Sequence, residues 1–183
     1  MFKFSFILFF IIFITNTSAT NKSKVLENLK NTKNFNFKFE QNINGKIENG
    51  NCTIEYPKKI YCEYSQSKNK ILVSNGKSLV IKTKSSYYLY PLNKTLLNLI
   101  LDKNFLIRKI NYSKERIIDN SYINFNISEN DSEINIFFDN KTFNLIGWQT
   151  NDIYQNLNIT FIYSVKINQK INQKNFELPK NNQ

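Results

Sequence analysis

Few side chains in this sequence can do chemistry. It has no histidine, which removes the commonest general base, triad partner and metal ligand. Its only thiols are Cys52 and Cys62. A structural zinc site takes four ligands, and one cysteine pair without a second pair or an imidazole is a poor start. The carboxylates are spread out. Glu55 and Glu63 flank a turn, Asp139 and Asp152 sit in or beside others, and nothing pairs two of them as glycoside hydrolysis requires. No local motif marks a serine–lysine nucleophile. Asn75-Gly76-Lys77-Ser78 ends like a phosphate loop, but the upstream glycine position holds Ile71, so a hairpin turn explains it better. No catalytic residue, cofactor or metal is expected, and the expected class is a non-enzymatic binding protein.

The cysteines have a different use. They lie on either side of Tyr56-Pro57-Lys58, between two segments rich in aromatic and β-branched residues, 51–56 and 60–65. Proline cannot donate to a ladder and belongs in the turn. With that turn Glu55 faces Lys59, Ile54 faces Ile60, and Cys52 falls opposite Cys62. Opposed hairpin residues have Cβ atoms roughly 4.5–5.5 Å apart, close to disulfide distance. The spacing predicts a cross-strand disulfide in an oxidising compartment; the alternative is two buried thiols packing as small apolar residues.

The start of the chain speaks to the compartment. Met1-Phe2-Lys3 is a short positive segment, Phe4–Ile14 a run apolar but for Ser5, and Thr17-Ser18-Ala19 a small-residue cleavage site. Residues 1–19 therefore read as a cleaved secretory signal peptide. A bilayer span needs about 20 apolar residues, more than this run provides. The residue directly after Ala19 is Thr20 and not a cysteine, so no lipid anchor is expected. Residues 20–183 are expected to form one exported domain, with a disordered tail after 179.

The formal charge is +11, and removing Lys3 with the signal leaves +10 (11 − 1). Export argues against nucleic acid as the partner. Attraction to anionic lipid headgroups or to an acidic protein surface fits better; a compositional bias toward Lys, Asn, Ile and Phe is the bland alternative. The same bias explains Asn-x-Ser/Thr triplets such as Asn93-Lys94-Thr95 without glycosylation.

The elements that must position these residues are mostly strands. Residues 22–31 predict a short amphipathic helix with Val25, Leu26 and Leu29 on one side. Phe35, Phe37 and Phe39 alternate with polar residues, as in a half-buried strand. Gly45 marks a turn, 46–49 leads into the hairpin, and 71–74, 78–82 and 87–90 continue the sheet. From Pro91 the texture becomes helical: Leu92, Leu96, Leu99 and Ile100 share one face, with Leu97 and Leu101 widening it. Such a helix either covers a sheet or forms a lid over an apolar pocket. Segments 105–111, 121–127, 133–138, 143–150 and 157–165 predict further strands. The pattern as a whole is mainly β, an antiparallel sheet that curls, with short helices.

In this order the elements resemble the LolA-type periplasmic carriers of outer-membrane lipoproteins, over essentially the whole exported chain. The resemblance lies in Phe39-Glu40-Gln41, Gly50 through Pro57, Ile60–Tyr64 and Ile71-Leu72-Val73-Ser74-Asn75-Gly76-Lys77. It continues through Pro91-Leu92 with Leu96-Leu97-Asn98-Leu99-Ile100-Leu101, Phe138-Asp139 with Leu145 and Trp148 through Asp152, and Asn175-Phe176-Glu177-Leu178-Pro179. It implies an unclosed, strongly curved antiparallel β half-barrel with short α-helices forming a lid. It implies a carrier, monomeric and without cofactor, that binds acyl chains of lipoproteins released by an inner-membrane ABC transporter. The cargo would pass to an outer-membrane acceptor of the LolB type. A periplasmic lipid- or lipoprotein-sensing protein on the same scaffold is the alternative.

The resemblance also places an acyl-chain cavity. It would be lined by Phe35, Phe37 and Phe39 from the first strand, and Cys52, Ile54, Ile60 and Cys62 from the hairpin. Leu92, Leu96, Leu97 and Ile100 would come from the lid. The family commonly has an arginine before the hairpin proline, bonding the closed lid; Tyr56 stands there and becomes the latch candidate, with one hydroxyl in place of five N–H donors.

Overall fold

The structure is a computed structural model, and it describes residues 20–66, 69–129, 132–151 and 156–181. The predicted signal peptide, Asp152 and the last two residues lie outside that set. Helix α1 spans Asn21–Asn31, capped by Thr20, whose hydroxyl accepts the Ser23 N–H; Val25 and Leu29 are its buried face. Strand β1, Asn34–Ile43, buries Phe35, Phe37 and Phe39 and turns their neighbours outward, the alternation a two-residue period demands. The two predicted segments after Gly45 are one strand, β2, Lys46–Glu55.

The hairpin register is the predicted one. In β3, Lys59–Tyr64, Lys59 pairs with Glu55, Ile60 with Ile54 and Cys62 with Cys52, and the two sulfurs are joined in a disulfide with Cα atoms 4.1 Å apart. Gly50 is required at its position in β2: a Cβ there would strike the Glu63 carbonyl oxygen and come within 2.7 Å of the Phe39 ring. Strands β4 (Ile71–Asn75), β5 (Ser78–Lys82) and β6 (Tyr87–Pro91) follow. Between the first two, Gly76 has φ +95°, and the Asn75 side chain accepts the N–H groups of Lys77 and Ser78.

Three expectations are corrected beyond this point. The helix predicted from Pro91 onward is broken: Pro91 ends β6, Leu92–Lys94 is a single 3-10 turn, and α2 covers only Leu97–Ile100. The strand predicted at 105–111 is helix α3, Lys103–Tyr112. The short apolar run Phe105-Leu106-Ile107 is compatible with a strand, but Phe105, Leu106 and Ile110 fall on one helical face and are the buried ones. Asp102, a good N-cap residue, starts this helix by accepting the Phe105 N–H at 3.0 Å.

The remaining strands are β7 (Glu115–Ile118), which was not anticipated, β8 (Tyr122–Glu129), β9 (Ser132–Asp139), β10 (Leu145–Asn151) and β11 (Leu157–Ile167). Phe143, expected to open β10, lies in the turn at φ +57°. All these strands form one antiparallel sheet in the order β6-β5-β4-β3-β2-β1-β11-β10-β9-β8-β7. Its ends, β6 and β7, do not pair, so the sheet is an unclosed half-barrel.

Its concave face is shared between two fillings. Over β8–β10, helices α1 and α3 complete a dry core in which Ile123, Phe125, Ile136, Phe138, Leu106 and Ile110 are all 1% exposed or less. Over β1–β5 the cover is the short α2 and the 3-10 turn. A second 3-10 turn, Gln173–Phe176, crosses β3 and β4 on the outer side. There Gln173 bonds Glu55 and Lys59, and Phe176 is buried under the Lys59 ammonium. Among the described residues no helix is long and apolar enough to cross a membrane.

Candidate ligand-binding cavity

Where α1 and α3 do not reach, the concave face encloses a cavity of about 1020 Å³. This is the upper end of the range for small-molecule sites, roughly 300–1,000 Å³. Phe37 and Phe39 supply one wall and Ile60 with the Cys52–Cys62 disulfide the next. Leu96, Leu97, Leu99 and Ile100 form the cover. Of these cover residues only Ile100 is fully buried, so the inner leucines face a space that nothing fills tightly.

Most of the expected lining is there, and three residues are not. Phe35, Ile54 and Leu92 are buried but do not face the cavity. Phe35 pairs with Ile54 at the α1 end of the sheet, stacks on Phe37 at 5.2 Å and lines a small crevice with Leu29 of α1 and Thr32, its C-cap. Alternation placed them on the right face but could not say that a helix occupies that end. Conversely, Leu72, Leu79, Ile81 and Trp148 line the cavity and were not anticipated. The first three follow from extending the hairpin register by two strands, since Leu72 pairs with both Cys62 and Ile81.

The far end of the cavity is polar. Gln41, Thr150 and Thr160 face it, and so does the Glu48–Lys70 pair. The Glu48 side chain is 6% exposed and takes Lys70 Nζ at 2.5 Å and Lys46 Nζ at 3.3 Å. Burial alone would raise its pKa, but the hydrogen bonds and charges of Lys70 and Lys46 hold the carboxyl below the ordinary glutamate value. The Lys70 ammonium also lies 4.0 Å from the centre of the Tyr64 ring, which meets Phe39 edge-on at 5.1 Å. Burial, and then the Glu48 charge, push the Tyr64 phenol up.

The cover is tied down at both ends. Leu92 N–H donates to the Lys77 carbonyl at 2.9 Å, and Lys58 N–H donates to the Leu101 carbonyl at 2.9 Å. Lys58 also pairs with Asp102 at 3.3 Å, while its own carbonyl accepts the Ser74 hydroxyl. The latch candidate Tyr56 does not share in this. Its hydroxyl is buried with no hydrogen-bond partner among the described residues, its ring packs on Phe35, and burial pushes its phenol up. The hairpin meets the cover through Lys58, two residues on. Among the described residues no cluster of three His, Cys, Asp or Glu side chains could hold a metal ion.

An open antiparallel half-barrel with a lidded, largely apolar cavity and a polar far end defines a binding scaffold. The family model described as "Outer membrane lipoprotein carrier protein LolA" matches residues 30–179, and the chain belongs to that family of binding and carrier proteins. Among curated proteins none matches at a significant level. Among solved structures, an uncharacterized conserved protein from Thermus thermophilus superposes with a TM-score of 0.54 at 6% identity, over 90% of this chain and 98% of that one. A LolA superfamily protein from Nitrosomonas europaea gives 0.45 at 8% identity, over 87% and 99%. MucB from Pseudomonas aeruginosa, solved with MucA, gives 0.42 at 9% identity, over 88% and 62%.

Proposed function

We propose that this protein is a periplasmic lipoprotein carrier. It takes the acyl chains of lipoproteins released by an inner-membrane ABC transporter, and gives them up to an outer-membrane acceptor of the LolB type. It works as a monomer, without cofactor or catalysis. The observation that carries this reading is the cavity of about 1020 Å³ walled by Phe37, Phe39, Ile60 and the disulfide under a short leucine-rich cover. An acyl chain gains about 0.8 kcal/mol for each CH₂ it buries, so a lipoprotein crosses an aqueous space only with its chains hidden.

Release without ATP needs an empty state that competes with the loaded one. The cover supplies it: Leu96, Leu97 and Leu99 line the cavity, so an entering acyl chain competes with them for its walls and they regain those contacts as it leaves. Buried Leu92, Ile100 and Leu101, with two backbone hydrogen bonds and the partly exposed Lys58–Asp102 ion pair, hold the cover at its ends. Residues 93–99 between them include no fully buried side chain and are the part that lifts. The test is to incubate the purified exported chain with spheroplasts carrying labelled lipoproteins. A soluble one-to-one complex is expected; lipoproteins left wholly in the membrane overturn the reading.

A further inference from the structure

The charge on this molecule is not evenly distributed. Between Glu63 and Asp102 the chain carries six lysines, Lys68, Lys70, Lys77, Lys82, Lys84 and Lys94, and not one of its 14 carboxylates. That interval contains β4, β5, β6 and the first part of the cover. Lys70 is committed to Glu48 inside the cavity. Lys77, Lys84 and Lys94 are exposed and make no ion pair among the described residues. Lys84 lies in the turn that enters β6, and Lys77 and Lys94 lie at its other end, where Ser78 pairs with Pro91.

Between these cationic ends, β6 is the last strand of the sheet, its outer edge unpaired among the described residues. It exposes Tyr88 (52%), Leu89 (57%) and Tyr90 (42%). Tyr88 and Tyr90 stack at 6.5 Å on the cavity side of the strand, and Leu89 points to the other side. An unpaired strand edge that is apolar on both faces invites association, and proteins normally blunt such an edge with charge on the strand itself. Here the charge stands at the strand's ends. Tyrosine rings and an aliphatic side chain flanked by lysines are the composition of an anchor at a membrane–water interface. There the rings sit at headgroup depth and the ammonium groups meet anionic lipid.

We propose that the β6 edge, with Lys77, Lys84 and Lys94, is a docking surface for an anionic bilayer. Docking by this edge brings the membrane to one side of the cavity, because Ile81 and the Asn93–Leu96 stretch beside the edge line it.

The experiment is flotation of the exported chain (residues 20–183) with vesicles of phosphatidylcholine alone or phosphatidylcholine with phosphatidylglycerol. Binding is expected only with phosphatidylglycerol, and it should weaken as salt is raised. Each lysine near an anionic surface contributes enough that the triple variant Lys77→Gln, Lys84→Gln, Lys94→Gln should bind about a hundredfold more weakly. Lys114→Gln, Lys141→Gln, Lys166→Gln removes the same charge elsewhere and should bind nearly as the parent. Equal loss in both variants reduces the effect to net charge and overturns the proposal. So does binding to soluble polyglutamate with none to vesicles, which assigns the surface to an acidic protein. In a Leu89→Trp variant the emission should shift to the blue with phosphatidylglycerol vesicles. Bound protein with unshifted emission places the contact elsewhere and also overturns it.

Discussion

Glu48 occupies an inward position of β2 that Gly50, Cys52 and Ile54 would lead one to expect apolar. A carboxylate is stable there because Lys70 and Lys46 reach it, and it stays ionised below the usual glutamate range. A carboxyl depressed in the folded state contributes stability in full above its unfolded value, about 4.3, and loses it as pH falls through the folded one. Glu48→Gln should therefore cost about 1–3 kcal/mol at neutral pH and flatten part of the decline in acid, read from urea midpoints across pH. The rest of the acid limb belongs to groups such as Asp139, held low chiefly by the Thr142 backbone N–H. Tyr56 is the opposite case, a buried hydroxyl with nothing to bond among the described residues. Tyr56→Phe should leave stability unchanged or raise it by up to about 1 kcal/mol in the same titration, and a clear loss would reveal a partner for the hydroxyl.

Among the elements, the β2–β3 hairpin and the cover behave differently under perturbation. The disulfide closes a short loop between paired strands, and chain-entropy arguments assign such a loop about 2–3 kcal/mol. The Cys52→Ala, Cys62→Ala variant should melt about 5–10 °C lower by calorimetry, and the parent in reductant should move toward it. Mass spectrometry with alkylation before and after reduction checks the bond directly. Leu92, Ile100 and Leu101 root the cover in the core, whereas Leu97 lies on the core's margin and faces the cavity. Leu97→Asp should abolish lipoprotein release from spheroplasts while far-UV circular dichroism stays that of the parent. Retained release would mean that cargo does not lie under α2.

At the scale of the whole molecule, the half-barrel divides its concave face. The β8–β10 side is packed solid by α1 and α3, and the β1–β5 side is left hollow under a few turns of chain. A protein with a hollow of this kind is less stable empty than loaded. Cargo that binds only the folded chain adds about 2.7 kcal/mol at a hundredfold excess over its Kd. A diacyl lipopeptide should accordingly raise Tm by several degrees in a thermal-shift assay, and the increment should vanish in Leu97→Asp. An unchanged Tm in the parent would show that the hollow takes no such chain.

By itself the sequence determined the local geometry. Pro57 and the residues around it set one turn, the turn set the register, and the register placed Cys52 opposite Cys62; the alternation of Phe35, Phe37 and Phe39 chose the inner face of β1. These are short-range matters, decided by a two-residue period and by turn stereochemistry. What it could not decide was which inner-face residues meet empty space. Phe35 and Phe37 obey the same pattern, yet α1 covers one and the cavity receives the other. Residues 105–111 read as a strand, but packing buries Phe105, Leu106 and Ile110 on one face of a helix. Only the tertiary structure settled both, because a cavity exists where side chains from distant parts of the chain fail to fill a space, and no local period encodes a failure of packing.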